Sequence, residues 1–76
     1  MKELLEMIAK ALVDHSEEVE VRSVEGDQVI MLELCVHPED RGKVIGRHGR
    51  TAEAIRTIFG AAGMKLHKRV RVEIIE

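Results

Sequence analysis

A glycine pair surrounded by basic side chains stands in the middle of the sequence. The glycines are Gly46 and Gly49, and the basic residues around them are Lys43, Arg47, His48 and Arg50. Glycines at this spacing leave room for another backbone to approach, because neither carries a side chain. The basic groups supply positive charge and hydrogen-bond donors of the kind that bind phosphates. The segment therefore predicts a cationic clamp for a phosphodiester.

The glycine loop lies between two predicted helices. Pro38 can open a helical turn that leads into a short helix, which ends at Ile45 and is anchored by Val44 and Ile45. Residues 50–62 then repeat apolar side chains at helical spacing, so a second helix begins directly after the loop. Unpaired amides and the helix dipole at such a start favour a negatively charged oxygen. We also expect Gly63 to end this helix in the left-handed conformation.

The other segments predict a two-layer α+β fold. Residues 1–15 have the apolar spacing of an amphipathic helix, and residues 19–24 alternate like a strand with one wet face. A turn at Gly26 leads to residues 28–36, which we expect to be a central strand buried on most of both faces. Residues 69–74 form the last strand. The order α-β-β-α-α-β predicts a three-stranded mixed sheet covered on one face by helices, with the last strand beside the central one.

Composition limits the size and the setting of the protein. Seventy-six residues make one small domain, and 45% hydrophobic residues are enough for a globular core. Because the sequence has one cysteine and no cysteine–histidine cluster at zinc spacing, we expect a cytoplasmic protein without metal or cofactor. The charged first residues and the lack of a run of about 18 apolar residues predict neither a signal peptide nor a membrane span.

Acidic and basic residues are distributed unequally along the chain. Residues 1–40 contain three basic and eleven acidic residues, a net charge of −8, whereas residues 41–76 contain nine basic and three acidic residues, a net charge of +6. This asymmetry indicates contact with a polyanion, although the overall net charge of −2 requires any anion site to be local. The alternative is that acidic and basic elements pack side by side and neutralise each other.

The segment Gly42–Arg56 resembles the signature of the K-homology (KH) domain. In that signature an apolar pair precedes a GxxG loop, and apolar residues recur after the loop. The matching apolar residues here are Val44, Ile45, Ala52 and Ile55. The predicted element order is similar to the type II KH arrangement, and the length resembles that of the small bacterial single-KH proteins of the KhpA family. The resemblance implies one type II KH domain over residues 1–76, with its GxxG loop at residues 46–49.

The KhpA resemblance implies a non-catalytic protein that binds single-stranded RNA. It further implies an RNA chaperone or post-transcriptional regulator that forms homodimers, and heterodimers with a larger KH-containing protein of the KhpB type, in a complex linked to cell-wall homeostasis and cell shape. In the KH mode the GxxG loop clamps the backbone of about four nucleotides, and the bases lie in a neighbouring groove. The expected RNA-binding residues are Lys43, Val44, Ile45, Gly46, Arg47, His48, Gly49, Arg50 and Arg56.

The expected groove must bind bases through aliphatic side chains. The sequence has no Trp or Tyr, and its single Phe lies on an apolar helix face, so it cannot build an aromatic stacking platform. We expect Val44 and Ile45 on the groove floor and Leu34 and Val36 along its wall. Arg56 is expected to be an outward basic contact.

The histidines and the cysteine allow further hypotheses. His48 lies in the predicted clamp, so its protonation is expected to strengthen RNA binding. Cys35 and His37 could share a strand face as a catalytic or metal-binding pair, yet a cysteine in an apolar strand is more often a small buried hydrophobe. His15 and His67 are expected at the surface. Because the sequence shows no set of nucleophile, base and orienting residue, no enzyme is predicted.

A second apolar stripe on the longer helix after the loop is offset from its core face. The stripe consists of Ala54, Ile58 and Ala61. One helix cannot bury two stripes in a two-layer monomer, so we expect this stripe to form a homodimer or a heterodimer. A wide core face is the alternative. The acidic first half leaves open a second function, in which the KH scaffold serves as a protein–protein interaction module without direct RNA contact.

Overall fold

The computed structural model describes residues 1–75 and contains three α-helices and three β-strands. The helices are α1 (Lys2–Leu12), α2 (Arg41–Ile45) and α3 (Arg50–Lys65), and the strands are β1 (Glu20–Glu25), β2 (Val29–Cys35) and β3 (Arg69–Ile74). Short 3-10 turns span Ser16–Glu18, Pro38–Asp40 and Arg47–Gly49. The predicted α+β class and element order are confirmed. Within residues 1–75, no helix has the length and apolarity needed to cross a membrane.

The three strands form one mixed sheet in the order β1-β2-β3. β1 and β2 form an antiparallel hairpin with Glu20 opposite Cys35, and β3 runs parallel to β2 with Val29 opposite Arg69. A parallel pair requires a long crossover, which α2, the glycine loop and α3 provide. The prediction that the last strand lies beside the central one is confirmed. β3 is therefore an edge strand, and its outer backbone groups have no neighbouring strand to pair with.

The helices cover one face of the sheet and build the core there. Leu5 of α1 and Phe59 of α3 are fully buried in one cluster with alternate residues of β2. The intervening residues of β2, including Met31 and Cys35, are only partly buried. The prediction that β2 is buried on most of both faces is therefore wrong, because the helices supply a second layer on one face only. Cys35 lies on the uncovered face.

α3 continues past the glycine that was expected to end it and reaches Lys65. Gly63 is buried inside the helix, where a side-chain carbon would lie 2.6 Å from Val70 Cγ2 and 2.7 Å from the Lys68 carbonyl oxygen. The predicted left-handed cap at Gly63 is therefore wrong, and glycine is needed there because β3 passes close to α3. The left-handed residue after α3 is His67, with φ 57°.

α1 is shorter than predicted. It ends at Leu12, and Val13 is already extended, with φ −105° and ψ 162°. The backbone N–H of His15 donates a hydrogen bond to the Asp40 carboxylate at 2.9 Å. This tertiary bond, formed between residues far apart in the sequence, keeps His15 out of a continuing helix.

Candidate nucleic-acid interface

A buried carboxylate fixes the segment that leads into the glycine loop. Asp40 is 1% exposed and accepts hydrogen bonds from the backbone N–H and from the ring Nδ1 of His15, both at 2.9 Å. Burial acts to raise the pKa of this carboxyl, but the hydrogen bonds from His15, a further backbone hydrogen bond from Asp14 and the charge of His15 together lower the pKa of Asp40 to about 2. The ionised carboxylate therefore ties the chain that follows α1 to the start of α2.

Gly46 is the residue at which α2 passes into the loop. Its φ of 79° and ψ of 171° are accessible mainly to glycine, and its N–H donates to the Gly42 carbonyl at 2.8 Å. A side-chain carbon at Gly46 would collide with the Thr51 side chain and would lie 2.8 Å from the Thr51 amide nitrogen. Glycine is thus required both by the backbone angle and by the close approach of the first turn of α3.

The next residues of the loop turn the chain through two successive left-handed conformations. These are His48, with φ 56° and ψ 25°, and Gly49, with φ 73° and ψ 12°. A side-chain carbon at Gly49 would meet no atom within 4 Å, so this side of the loop is open. Arg47 and His48 are the first two residues of the 3-10 turn that follows Gly46, and the first amides of a helical turn have no acceptor within that turn. No bond from either amide occurs among the loop and cap hydrogen bonds of residues 1–75. The loop therefore presents two N–H groups that are available to an anion.

The predicted basic residues of the clamp fall into two groups. The first group has exposed side chains without an ion-pair partner in the described part of the chain. It consists of Arg47, His48 and Arg50. Lys43 differs, because its Nζ lies 3.1 Å from Asp14 and 3.6 Å from Asp40. The hydrogen bond to Asp14 raises the pKa of Lys43. Lys43 thus belongs to the network that anchors α2, while the other three remain free.

Direct pairing between the acidic and basic halves of the chain is limited. Of the Lys and Arg side chains in residues 41–75, Lys43 alone pairs with acids of residues 1–40 within the described chain. Arg56 pairs with Glu53 of its own half, at 3.8 Å. Mutual neutralisation therefore accounts for little of the positive charge, which favours the polyanion interpretation of the charge asymmetry.

The apolar residues expected to line the groove lie mostly in the core. Val44 and Leu34 are fully buried and Val36 is 9% exposed, whereas Ile45 is 39% exposed. Val44 and Leu34 therefore belong to the buried core and present no surface to a base. This corrects the expected floor and wall of the groove, because α2 packs against α1 and α3 and Val44 joins the core cluster there. Ile45 remains accessible beside the loop.

A groove of about 270 Å³ lies instead between α3 and the outer edge of β3. It is lined by Arg56, Val70, Arg71, Val72 and Glu73. Arg56 Nε donates a hydrogen bond to the Val72 carbonyl at 3.2 Å, which holds the guanidinium against the edge strand. The β3 side of this groove was not predicted from the sequence. The predicted strand order could have indicated it, since that order already places the last strand at an edge.

The histidine expected near Cys35 stacks instead on a second histidine. The rings of His15 and His37 are 3.9 Å apart and 12° from parallel. Glu39 completes a set of three possible metal ligands whose atoms lie within 4.8 Å of one another. Parallel rings direct their nitrogen lone pairs into separate planes, and His37 Nδ1 already accepts the Glu39 N–H at 3.1 Å. This arrangement suits packing between the end of α1 and the start of α2 better than metal binding.

The helix, GxxG loop and helix, packed on a three-stranded sheet in the order α-β-β-α-α-β, define a type II KH domain. The family model for the KH domain of KhpA and KhpB matches residues 2–74. The chain belongs to this KhpA/KhpB family, as its resemblance in sequence implied.

Curated relatives match the chain over nearly its full length. The protein named RNA-binding protein KhpA from Clostridium acetobutylicum is 63% identical over 75 residues, which are 99% of this chain and 100% of the relative. The protein of the same name from Listeria monocytogenes is 49% identical over 76 residues, covering 100% of both chains. The one from Aquifex aeolicus is 47% identical over 76 residues, 100% of this chain and 96% of the relative. No solved structure matches the chain significantly.

Proposed function

We propose that this protein binds single-stranded RNA without catalysing a reaction, and that its glycine loop grips the RNA backbone. The observation that carries this proposal is the pair of free amides at Arg47 and His48, which lies among unpaired basic side chains at the start of α3. Amides and dipole at a helix start stabilise a phosphate oxygen, and the arginines add charge-assisted hydrogen bonds. The relatives named RNA-binding proteins support the same conclusion.

The edge of β3 is the surface on which we place the bases. The Val72 carbonyl points away from β2, since it accepts the hydrogen bond from Arg56. The N–H and C=O of one strand residue point in the same direction, so the Val72 N–H also lies on the outer edge. Backbone groups of this kind can bind the Watson–Crick edges of unstacked bases. Because most of the grip falls on the sugar-phosphate backbone, sequence preference is expected to be weak.

We place the protein in the cytoplasm as an RNA chaperone and post-transcriptional regulator. Its expected partner is a larger KH-containing protein of the KhpB type, in a complex linked to cell-wall homeostasis and cell shape. The family model that matches this chain describes the KH domain of both KhpA and KhpB, which supports a pairing of related domains.

The outward face of α3 is the surface through which we propose that the protein forms homodimers or such heterodimers. Ala54, Ile58 and Ala61 are exposed on this face, and Ile58 is 53% exposed. The stripe therefore lies outside the core. Ile58→Glu is expected to give a folded monomer by light scattering, whereas the neighbouring exposed change Thr57→Glu leaves the dimer intact. An unchanged dimer in Ile58→Glu rejects this interface.

The central test changes the sign of the loop charge. The double variant Arg47→Asp with His48→Asp is expected to lose binding to single-stranded RNA, and its log–log salt slope should become shallower by about 0.7 for each phosphate that the loop no longer neutralises. Aspartate tolerates the left-handed conformation at position 48, so the fold should persist. The matched control is Lys2→Glu with Lys10→Glu, which adds acidic charge at two exposed positions of α1, outside the loop.

The outcome also separates the second candidate function. A protein–protein interaction module without direct RNA contact is favoured by the exposed apolar stripe of α3. If the loop double variant and the α1 control bind RNA as well as the parent chain, the loop is not the grip. If the parent chain binds no RNA and Ile58→Glu abolishes dimerisation, the protein is an interaction module.

A further inference from the structure

A larger pocket of about 410 Å³ lies next to the groove beside the β3 edge. It is lined by Gly60, Met64, His67, Lys68, Arg69 and Val70. Val70 lines both the groove and the pocket, so the two are neighbours along β3. The pocket lies where α3 ends and β3 begins, at the opposite end of α3 from the glycine loop.

The helical repeat of α3 aligns the loop, the groove and the pocket. Arg56, Gly60 and Met64 are spaced four residues apart and therefore lie along one side of the helix. At 1.5 Å per residue, Met64 lies about 21 Å along the helix from Arg50. A strand held at the loop and extended along this side of α3 would reach the pocket beyond the nucleotides that the loop holds.

The pocket has the chemistry that an unstacked base and its phosphate require. Met64 and Val70 supply an apolar lining, and the exposed imidazole of His67 is an accessible ring. Phe59 is fully buried, so it cannot stack on a ligand, whereas histidine rings do stack on bases in RNA complexes. His67 also has a left-handed φ of 57°, a conformation that residues other than glycine adopt infrequently.

The charges at the rim of the pocket are complementary to RNA. The side chains of Lys68 and Arg69 have no ion-pair partner within residues 1–75, and neither does nearby Lys65. In the described part of the chain, five unpaired basic residues of its second half thus lie near the two ends of α3, and the other two, Arg41 and Arg71, lie in α2 and β3. An RNA strand is a polyanion that can contact the basic residues at both ends at once.

We propose that the pocket at the end of α3 is a second RNA subsite, which receives a base of the same single strand beyond the nucleotides gripped by the glycine loop. This inference rests on the proposed function of the loop. The stacked base lies between the Met64 thioether and the His67 ring, and Lys68 and Arg69 contact its phosphates. The site therefore favours RNA longer than the loop alone can hold.

Filling the pocket tests the proposal. A side-chain carbon at Gly60 would meet no atom within 4 Å, and Gly60 lines the pocket, so we expect the longer side chain of Gly60→Leu to occupy it. Gly60→Ala is the matched control, since it gives a similar gain in helix propensity but leaves the pocket open. Affinities are measured with an oligouridine tetranucleotide and an oligouridine octanucleotide, and each variant is compared with the parent on the same oligonucleotide.

We expect Gly60→Leu to weaken octanucleotide binding by about tenfold, the effect of losing one stacked base, and to leave tetranucleotide binding unchanged. Gly60→Ala should bind both as the parent does. Equal octanucleotide affinity in Gly60→Leu and Gly60→Ala overturns the proposal. A loss of both oligonucleotides to the same degree also overturns it, because the pocket would then act on the loop rather than on the longer strand.

A second variant keeps the test independent of packing in α3. His67→Gly relieves the left-handed φ and removes the ring, so the fold should be at least as stable while octanucleotide affinity falls. Unchanged octanucleotide affinity in this variant counts against stacking at His67 and overturns the site as proposed. If the loop double variant binds both oligonucleotides with the same affinity as the parent chain, the proposed function itself fails. If the loop double variant loses binding while both pocket variants do not, only the second subsite fails.

Discussion

The segments directly before and after Gly46 both carry basic side chains, but within residues 1–75 only the segment before Gly46 has acidic partners for them. Before Gly46, Lys43 is held by Asp14 and by the buried carboxylate of Asp40. After Gly46, Arg47 is exposed and has no ion-pair partner in the described chain. Of these two basic residues, only Arg47 therefore keeps an uncompensated charge for the proposed grip on RNA. Position in the motif does not reveal this, but the location of the acids does.

The largest effects that test this comparison are expected when each of the two loop glycines is replaced by alanine. Gly46→Ala is expected to destabilise the fold by about 3 kcal/mol, because it combines a disfavoured positive φ with a collision against Thr51. Gly49→Ala should destabilise by about 1 kcal/mol, the ordinary penalty of a left-handed residue in open space. Urea unfolding of both variants measures these differences.

The direct effect on RNA binding should have the opposite order, with the larger loss of affinity in Gly49→Ala. A methyl group at Gly49 projects into the open side of the loop where the RNA backbone is proposed to lie, so binding weakens in a protein that is still folded. Equal destabilisation by the two alanines would contradict the assignment of Gly46 to packing and of Gly49 to the open surface.

Much of the fold follows from local patterns, but the anchor of the loop does not. The apolar periods of α3 and β2 and the turn at Pro38 predict the element order, because each pattern acts within a few neighbouring residues. The hydrogen bond between His15 and Asp40 joins positions 25 residues apart, and neither residue type indicates which residue it will bind. The extent of α3 was missed for a related reason, since Gly63 serves contact with β3 rather than helix termination.

The candidate site, too, could be predicted from the sequence only in part. The basic loop could be identified from Gly46 to Arg50, because glycine spacing and charge are properties of the sequence itself. The groove could not, because the burial of Val44 and Leu34 depends on how the helices and the sheet pack into one core. The tie between Arg56 and the Val72 carbonyl likewise depends on the distance between α3 and the edge strand.

The anchoring side of Gly46 should respond to acid. The pKa of Asp40 is lowered from 3.8 to about 2 in the folded chain, so its contribution to stability is complete above pH 3.8 and is lost as the pH falls through about 2. The pKa of His15 is raised from 6.5 by its hydrogen bond to Asp40, so its contribution is complete below pH 6.5 and is lost as the pH rises through the raised value. The pair therefore stabilises the fold most between these two limits.

Asp40→Asn should remove the effect of Asp40 and reduce that of His15, because the amide neither ionises nor attracts the imidazolium, whereas the charges of Glu18 and Glu39 remain. Thermal unfolding from about pH 8 down to about pH 2 should show a lower Tm at neutral pH and a shallower loss of Tm in acid than in the parent. Glu17→Gln is the matched control, since Glu17 is exposed and has no ion pair in residues 1–75. An acid profile for Asp40→Asn that parallels the parent would show that the buried carboxylate does not anchor α2.

The smallest expected effect lies on the open side of Gly46. His48 is exposed within the loop, and histidine gains positive charge as the pH falls from about 8 to about 6. Affinity for single-stranded RNA should rise by about threefold over this range, as expected for one added exposed charge near a phosphate. His48→Asn keeps a residue that tolerates the left-handed φ of 56° and removes the imidazole, so its affinity should depend less on pH. The stacked histidines His15 and His37 remain in this variant, which makes the difference between the two profiles specific to the loop. Identical pH profiles for the two proteins would mean that the imidazole in the loop does not contact RNA, and that the grip rests on the amides and on Arg47 and Arg50.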